Sequence, residues 1–282
     1  METTETGTAI AAMGTTLGPN VLAACRALFG AEQSALAARV PVAAADCAYG
    51  PHERHRLDIY GGGKAAPIVL FVHGGGFVQG DKGGADSWAN AAVGRWAAER
   101  GFVGAVMNYR LAPDHGWPAG GEDVVAAIDW LAANGAPHGG DPTRIVVVGT
   151  SAGAVHIATA LKLAPALPVR GAVLLSGLYG YTPLEGRDTS YYGAQADYAE
   201  RMPREAVANT TLPLLVACAQ FDPPRFQAEF LRLMQDRLHQ HGTMPRAMIA
   251  SGHNHYSLAM HLGTSDRRLA DEIVAFMSDV CA

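Results

Sequence analysis

Short apolar runs rich in Val, Ile and Leu recur along the chain at 67–72, 102–109, 144–149, 171–176, 212–220 and 245–250. They are continuous rather than alternating, and a run of this length predicts a strand covered on both faces. Between them, the stretches near 86–100, 120–134, 152–164 and 224–241, and a last one near 265–280, carry apolar residues at helical spacing. Strand and helix in alternation predict an α/β fold, a mainly parallel sheet with helices on both faces. Arg54–Tyr60 does alternate, which predicts an early edge strand joined antiparallel. Two stretches stand outside the pattern. The Ala-rich first 45 or so residues are predicted helical, and 179–208 is rich in Tyr, Gly and charge. With no internal repeat, low-complexity tract or linker, residues 1–282 are expected to form one domain.

The chemistry clusters at the ends of the predicted strands. Gly149-Thr150-Ser151-Ala152-Gly153 follows the run 144–148 and precedes the small-residue helix beginning at Ala154. A serine on so tight a strand-to-helix turn is held in a strained backbone with its Oγ exposed. The Ala152 N–H falls at a helix start, where unpaired donors favour negative charge, so it can serve an oxyanion forming beside Ser151. The run 67–72 ends in His73-Gly74-Gly75-Gly76-Phe77, whose glycines let backbone N–H groups approach a ligand closely. A flexible glycine turn would explain that segment alone, but not its place ahead of a serine elbow.

A serine nucleophile needs a base, and the base needs an orienting carboxylate. On this type of fold they follow in the order Ser, acid, His. Asp222 closes the run 212–220 and is the expected acid; its rival role is to cap the helix that Pro223 and Pro224 begin. Past the run 245–250 lies Ser251-Gly252-His253-Asn254-His255-Tyr256-Ser257, with two histidines able to act as base, His253 and His255. A metal is the other chemistry a His-x-His pair suggests. No further His, Cys or carboxylate stands nearby at ligand spacing, so neither metal nor cofactor is expected.

Residues 73–77 (HGGGF), 108–130 (NYRLAPDHGWPAGGEDVVAAIDW), 140–154 (GDPTRIVVVGTSAGA) and Asp222-Pro223 resemble the α/β-hydrolases of the hormone-sensitive-lipase-like esterase group. The likeness runs from about Tyr49 to the C-terminus. It implies a catalytic triad of Ser151, Asp222 and His255, with Gly75, Gly76 and Ala152 donating to the oxyanion. Thr150 stands where many members carry Asp, and the base lies in GHNHYS instead of the usual His-Gly-Phe. That loop is similar to the small esterase and arylformamidase branch, whose second His, ahead of an aromatic, is the base; hence His255 over His253. In this group, segments such as 1–45 and 179–208 form a cap. Phe77, Trp88 and Tyr179, with Tyr181, Tyr191 and Tyr192, are then expected either to line a substrate pocket or to pack the cap onto the core. The implied activity is hydrolysis of short- to medium-acyl carboxylic esters through an acyl-enzyme, with arylformamidase-type amide hydrolysis or a non-catalytic binding protein as alternatives. Similar proteins often pair through a sheet edge, so a homodimer is compatible with the resemblance, though no residue points to one.

Composition limits the partners. At 282 residues with 49% hydrophobic and 17% charged residues, the chain has ample material for a sheet covered on both sides. A net charge of −5 offers no basic patch for nucleic acid and no polybasic membrane segment. Cys25, Cys47, Cys218 and Cys281 show no paired spacing, and no Lys or Arg precedes Arg26, so a cytoplasmic protein without a signal peptide is expected. No apolar run reaches bilayer-spanning length.

Overall fold

The structure, a computed structural model, describes residues 5–61, 63–84 and 88–282. Its frame is one eight-stranded sheet: β1 (Val42–Ala48), β2 (Arg56–Tyr60), β3 (Ala66–Val72), β4 (Val103–Met107), β5 (Gly140–Thr150), β6 (Gly171–Leu175), β7 (Leu214–Phe221) and β8 (Arg246–Asn254). The strand order is β1-β2-β4-β3-β5-β6-β7-β8. The β1–β2 and β2–β4 pairs are antiparallel, and every other pair is parallel.

The continuous apolar runs are explained by the two faces of this sheet. Ile68, Leu70 and Val72 of β3, Ile145 and Val147 of β5, and Leu214, Val216 and Cys218 of β7 face one core. The intervening Val69 and Phe71, Val146 and Val148, and Leu215, Ala217 and Ala219 face the other. Because successive side chains point to opposite sides, a strand covered twice has no polar position to alternate with. The first face is covered by α4 (Ala119–Asn134), α5 (Ala152–Leu163) and α9 (Pro224–His241). The second is covered by α3 (Trp88–Glu99), α10 (Ser257–Met260) and α11 (Arg268–Val280). The expected helix near 86–100 begins within the described residues at Trp88; positions 86 and 87 lie outside them, as do residues 1–4 of the N-terminal segment.

Three expectations need correction. The run 245–250 is not covered on both faces: it lies in β8, the far edge of the sheet, where Ile249 is 55% exposed. The N-terminal segment is helical only through α1 (Glu5–Met13) and α2 (Pro19–Arg39); from Val42 it becomes the edge strand β1. Arg56–Tyr60 is antiparallel as expected but is not an edge, because β1 covers it. Between β6 and β7 the chain forms the short helices α6 (Thr189–Tyr192), α7 (Tyr198–Arg201) and α8 (Arg204–Asn209). The turn that starts this excursion is built on Glu229 of α9. This carboxylate is fully buried and accepts the N–H groups of Tyr179 (2.6 Å), Gly180 (3.2 Å) and Thr182 (2.6 Å) and the Thr182 hydroxyl (2.6 Å). Several charge-assisted bonds of this kind offset the cost of burying one carboxylate. No described helix is long and apolar enough to cross a membrane.

Candidate active site

Strands β5, β6 and β7 are neighbours, and their carboxyl ends present three side chains together. Ser151 follows β5 with φ 54° and ψ −120°, a conformation costly for any residue with a Cβ. It is held by its N–H donating to Leu175 O of β6 (2.8 Å) and by the start of α5 at Ala152. The flanking glycine is required here by close approach: a Cβ on Gly153 would lie 2.0 Å from Val72 O of β3. The elbow therefore packs directly against the strand that leads into the Gly-rich loop.

His255 lies just past β8, 7% exposed, with Nε2 3.0 Å from Ser151 Oγ and Nδ1 2.7 Å from Asp222 Oδ1. A carboxylate can only accept, so Nδ1 carries the proton and Nε2 is left to accept from the serine hydroxyl. Phe226 of α9 packs on the imidazole with ring centroids 4.3 Å apart. Asp222 is fully buried; its Oδ2 accepts the Ser176 hydroxyl (2.5 Å) and the Ala219 N–H (2.7 Å). The helix-capping role is not taken up. Pro223 occupies the N-cap of α9, no side chain caps the helix there, and both Asp222 oxygens are engaged elsewhere.

Ser176, unnoticed in the sequence, stands at the end of β6 between the nucleophile strand and the acid strand. Its N–H donates to Ala217 O (2.8 Å) and its backbone has φ 48°. The one available signal was its place at the carboxyl end of an apolar run, which a single serine does not make conspicuous.

His253 does something different. It is 3% exposed, its Nε2–H donates to Asp266 Oδ2 (3.2 Å), and its Nδ1 accepts from Ser257 Oγ (3.1 Å). With both nitrogens engaged away from Ser151, it braces the loop that carries His255. Ser257 Oγ also accepts the Asn254 N–H at 2.9 Å. His253, His261 and Asp266 form a trio of metal-ligand residue types. The two imidazoles stack 3.8 Å apart at 21°, so their lone pairs lie in nearly parallel planes and do not converge on one ion, and Arg268 already pairs with Asp266.

The Gly-rich loop abuts the elbow: a Cβ on Gly74 would lie 3.2 Å from Ser151 Cβ. Gly75 has φ 135° and passes so near Gln79 that a Cβ would fall 1.9 Å from its carbonyl oxygen, while Gly76 (φ 59°) faces open space. Among the described residues, the N–H groups of Gly75, Gly76 and Ala152 donate to no protein acceptor. They are thus available to an oxygen bound beside Ser151 Oγ.

Of the aromatics expected either to line a pocket or to pack onto the core, Phe77 and Tyr179 are buried. Phe77 is 5% exposed and packs beneath the loop against Tyr191, Tyr192 and Met202. Tyr179 is 1% exposed and belongs to the core that β7 faces through Leu214, Val216 and Cys218. Of the three, Trp88 is partly exposed; it sits where α1 and α2 meet the His255 loop, near Phe29, Met260 and Tyr256. That junction is tied by the Gly18 N–H donating to Tyr256 Oη (3.0 Å).

Buried histidines surround the site. Desolvation lowers His73 to about 4 and His156 and His261 to about 3, so all three are neutral in the fold. In the unfolded chain they titrate near 6.5. As pH falls below that value the unfolded state takes up protons that the folded state does not, and stability drops by about 1.4 kcal/mol per pH unit for each group. The melting temperature is therefore expected to fall steeply between pH 7 and pH 5. An unchanged melt would show that these side chains are not held neutral.

Sheet order, serine elbow and strand-end residues are together those of the α/β-hydrolase class. The chain matches the alpha/beta hydrolase fold family over residues 69–254 and belongs to it. It is 43% identical over 99 residues to carboxylesterase NlhH of Mycobacterium tuberculosis, covering 35% of this chain and 30% of that protein. It is 35% identical over 149 residues to esterase LipC of the same organism, covering 49% and 36%. The matched stretches thus span about a third of these relatives' own length. An esterase from Pyrobaculum calidifontis superposes with a TM-score of 0.68 at 23% identity, covering 94% of this chain and 99% of that one, which is a likeness of fold.

Proposed function

We propose that the protein hydrolyses carboxylic esters of small molecules with short to medium acyl groups, through a covalent acyl-enzyme on Ser151. The observation that carries this reading is the continuous chain from Ser151 Oγ to His255 to the buried Asp222. Ser151 Oγ attacks the ester carbonyl as its proton passes to His255 Nε2. Asp222 keeps the imidazole in the accepting tautomer and stabilises the imidazolium that forms. The carbonyl oxygen, now negative, accepts from the N–H groups of Gly75, Gly76 and Ala152 at the start of α5. Collapse expels the alcohol, which takes the proton from His255. Water, deprotonated by the same imidazole, then releases the acid and restores the serine hydroxyl. The similarity to carboxylesterases supports esters as the substrate class, and four free thiols, three of them buried, support a reducing cytoplasmic setting.

Labelling with a fluorophosphonate followed by peptide mass spectrometry is expected to find the adduct on Ser151. Burst kinetics are expected on p-nitrophenyl esters of two, four and eight carbons, with turnover falling as the chain lengthens. A formylated aniline run beside a matched aryl ester separates ester from formamide preference, since the amine leaving group needs His255 placed to protonate nitrogen. No label and no burst would end the hydrolase reading.

A further inference from the structure

The backbone that offers the Gly75 and Gly76 donors is bent into positive φ over three successive residues: 135° at Gly75, 59° at Gly76 and 70° at Phe77. For Phe77, which has a Cβ, that conformation is strained and persists only if its surroundings impose it. The side chain shows what imposes it. Its ring lies flat on Tyr191, with centroids 4.3 Å apart and planes 5° from parallel. Tyr192 and His156 meet it edge-on at 5.5 and 5.4 Å. Its carbonyl accepts the Ala112 N–H at 3.0 Å.

His156 joins this clamp to the other donor. It is on α5, four residues past Ala152, and is fully buried. Its Nδ1 pairs with the Tyr191 hydroxyl at 3.3 Å, and its ring meets Tyr109 edge-on at 4.4 Å. Its Nε2 has no partner among the described residues, so the Tyr191 contact is the polar tie that a leucine or phenylalanine would lack. Tyr191 in turn is fixed from the backbone, its carbonyl accepting the Trp117 N–H at 2.7 Å. One helix therefore carries the Ala152 donor at its first turn and, one turn further on, the imidazole that braces the Gly75–Phe77 turn.

We propose that Tyr191 and His156 are positioning residues of the acyl-transfer site, holding Phe77 so that the Gly75 and Gly76 N–H groups and the Ala152 N–H keep one fixed separation. Neither touches substrate. Their contribution is geometric, and a donor displaced by about 1 Å loses most of its value to the developing oxyanion. The inference rests on the acyl-transfer reading above.

The test compares Tyr191→Leu, His156→Leu and Tyr191→Phe with the wild-type protein, by kcat and KM on p-nitrophenyl acetate, by the Ki of a trifluoromethyl ketone that adds to the serine, and by thermal melting. Tyr191→Leu and His156→Leu are expected to lower kcat roughly 10- to 100-fold with KM within about threefold. The Ki of the ketone should rise by the same factor as kcat falls, because its adduct bears the oxyanion. Tyr191→Phe keeps the flat stack but loses the hydroxyl tie to His156, and its kcat should fall between those of the wild-type protein and Tyr191→Leu. A purely structural role would lower the melting temperature without this parallel change. If Tyr191→Leu does not fold, His156→Gln carries the same expectation, since it keeps a polar group for the Tyr191 hydroxyl but loses the ring edge against Phe77. Folded variants with wild-type kcat, or with a Ki that does not follow kcat, overturn the proposal. Failure of the acyl-transfer reading looks different: the wild-type protein itself gives no burst.

Discussion

Ser151→Ala is expected to lower kcat on p-nitrophenyl esters by about 10⁵- to 10⁶-fold, leaving only the residual rate that binding and oxyanion donors supply. His255→Ala should cost as much, and the double variant no more than either alone, because nucleophile and base act as a unit across the 3.0 Å contact. The loss should not come from unfolding. Ser151 has φ 54° and ψ −120°, which glycine adopts far more readily than a residue with a Cβ. A Ser151→Gly protein is therefore expected to be inactive yet more stable than Ser151→Ala, by about 1 kcal/mol. Turnover and melting curves on the same preparations check both halves. A Ser151→Ala protein that still turns over at a near-normal rate would refute the nucleophile, whatever its stability.

How much of this was legible before the structure depended on the physics behind each signal. Five of the six expected strands, β3 to β7, announced themselves because burial on both faces forces a continuous apolar run, as in Val146–Val148, whereas the sixth, β8, is the far edge of the sheet and is only half covered. The edge strand β1 did not announce itself. Its sequence, Val-Ala-Ala-Ala-Asp-Cys-Ala, is mostly exposed and rich in alanine, and pairing with β2 rather than side-chain propensity makes it a strand. Ser151 and Asp222 were legible because chemistry on this fold gathers at strand ends, a position that sequence order marks. His253 and His255 could not be separated by spacing alone. What separates them is that Ser257 and Asp266 occupy both nitrogens of the first, while Ser151 and Asp222 face those of the second. The aromatics were illegible for a similar reason. A tyrosine or phenylalanine beside a site reads the same in sequence whether it lines a cleft or plugs the floor beneath it, and only burial, 5% exposure at Phe77 and 1% at Tyr179, tells the two apart. Ser176 left only its place at the end of an apolar run, since its role arises from β6 lying between β5 and β7.

Asp222→Asn is the substitution that tests orientation apart from chemistry, and it is expected to lower kcat by about 10⁴-fold with the fold intact. Shape is nearly unchanged, so the effect must come from which atom can accept. In the native site Oδ2 accepts from both the Ser176 hydroxyl (2.5 Å) and the Ala219 N–H (2.7 Å), while Oδ1 accepts from His255 Nδ1–H (2.7 Å). An asparagine has one oxygen. With two donors converging on the Oδ2 position, that oxygen is held there, and the amide NH₂ is turned toward His255. The imidazole must then accept at Nδ1 and carry its proton on Nε2, where it faces Ser151 as a donor and cannot take the serine's proton. Ser176→Ala, which removes one of the two donors and leaves Ala219 N–H, should cost far less, about 10-fold or below. If Asp222→Asn lost less than 10-fold, the tautomer would have to be set without the carboxylate, and the packing of Phe226 on the ring at 4.3 Å would be the remaining constraint on His255.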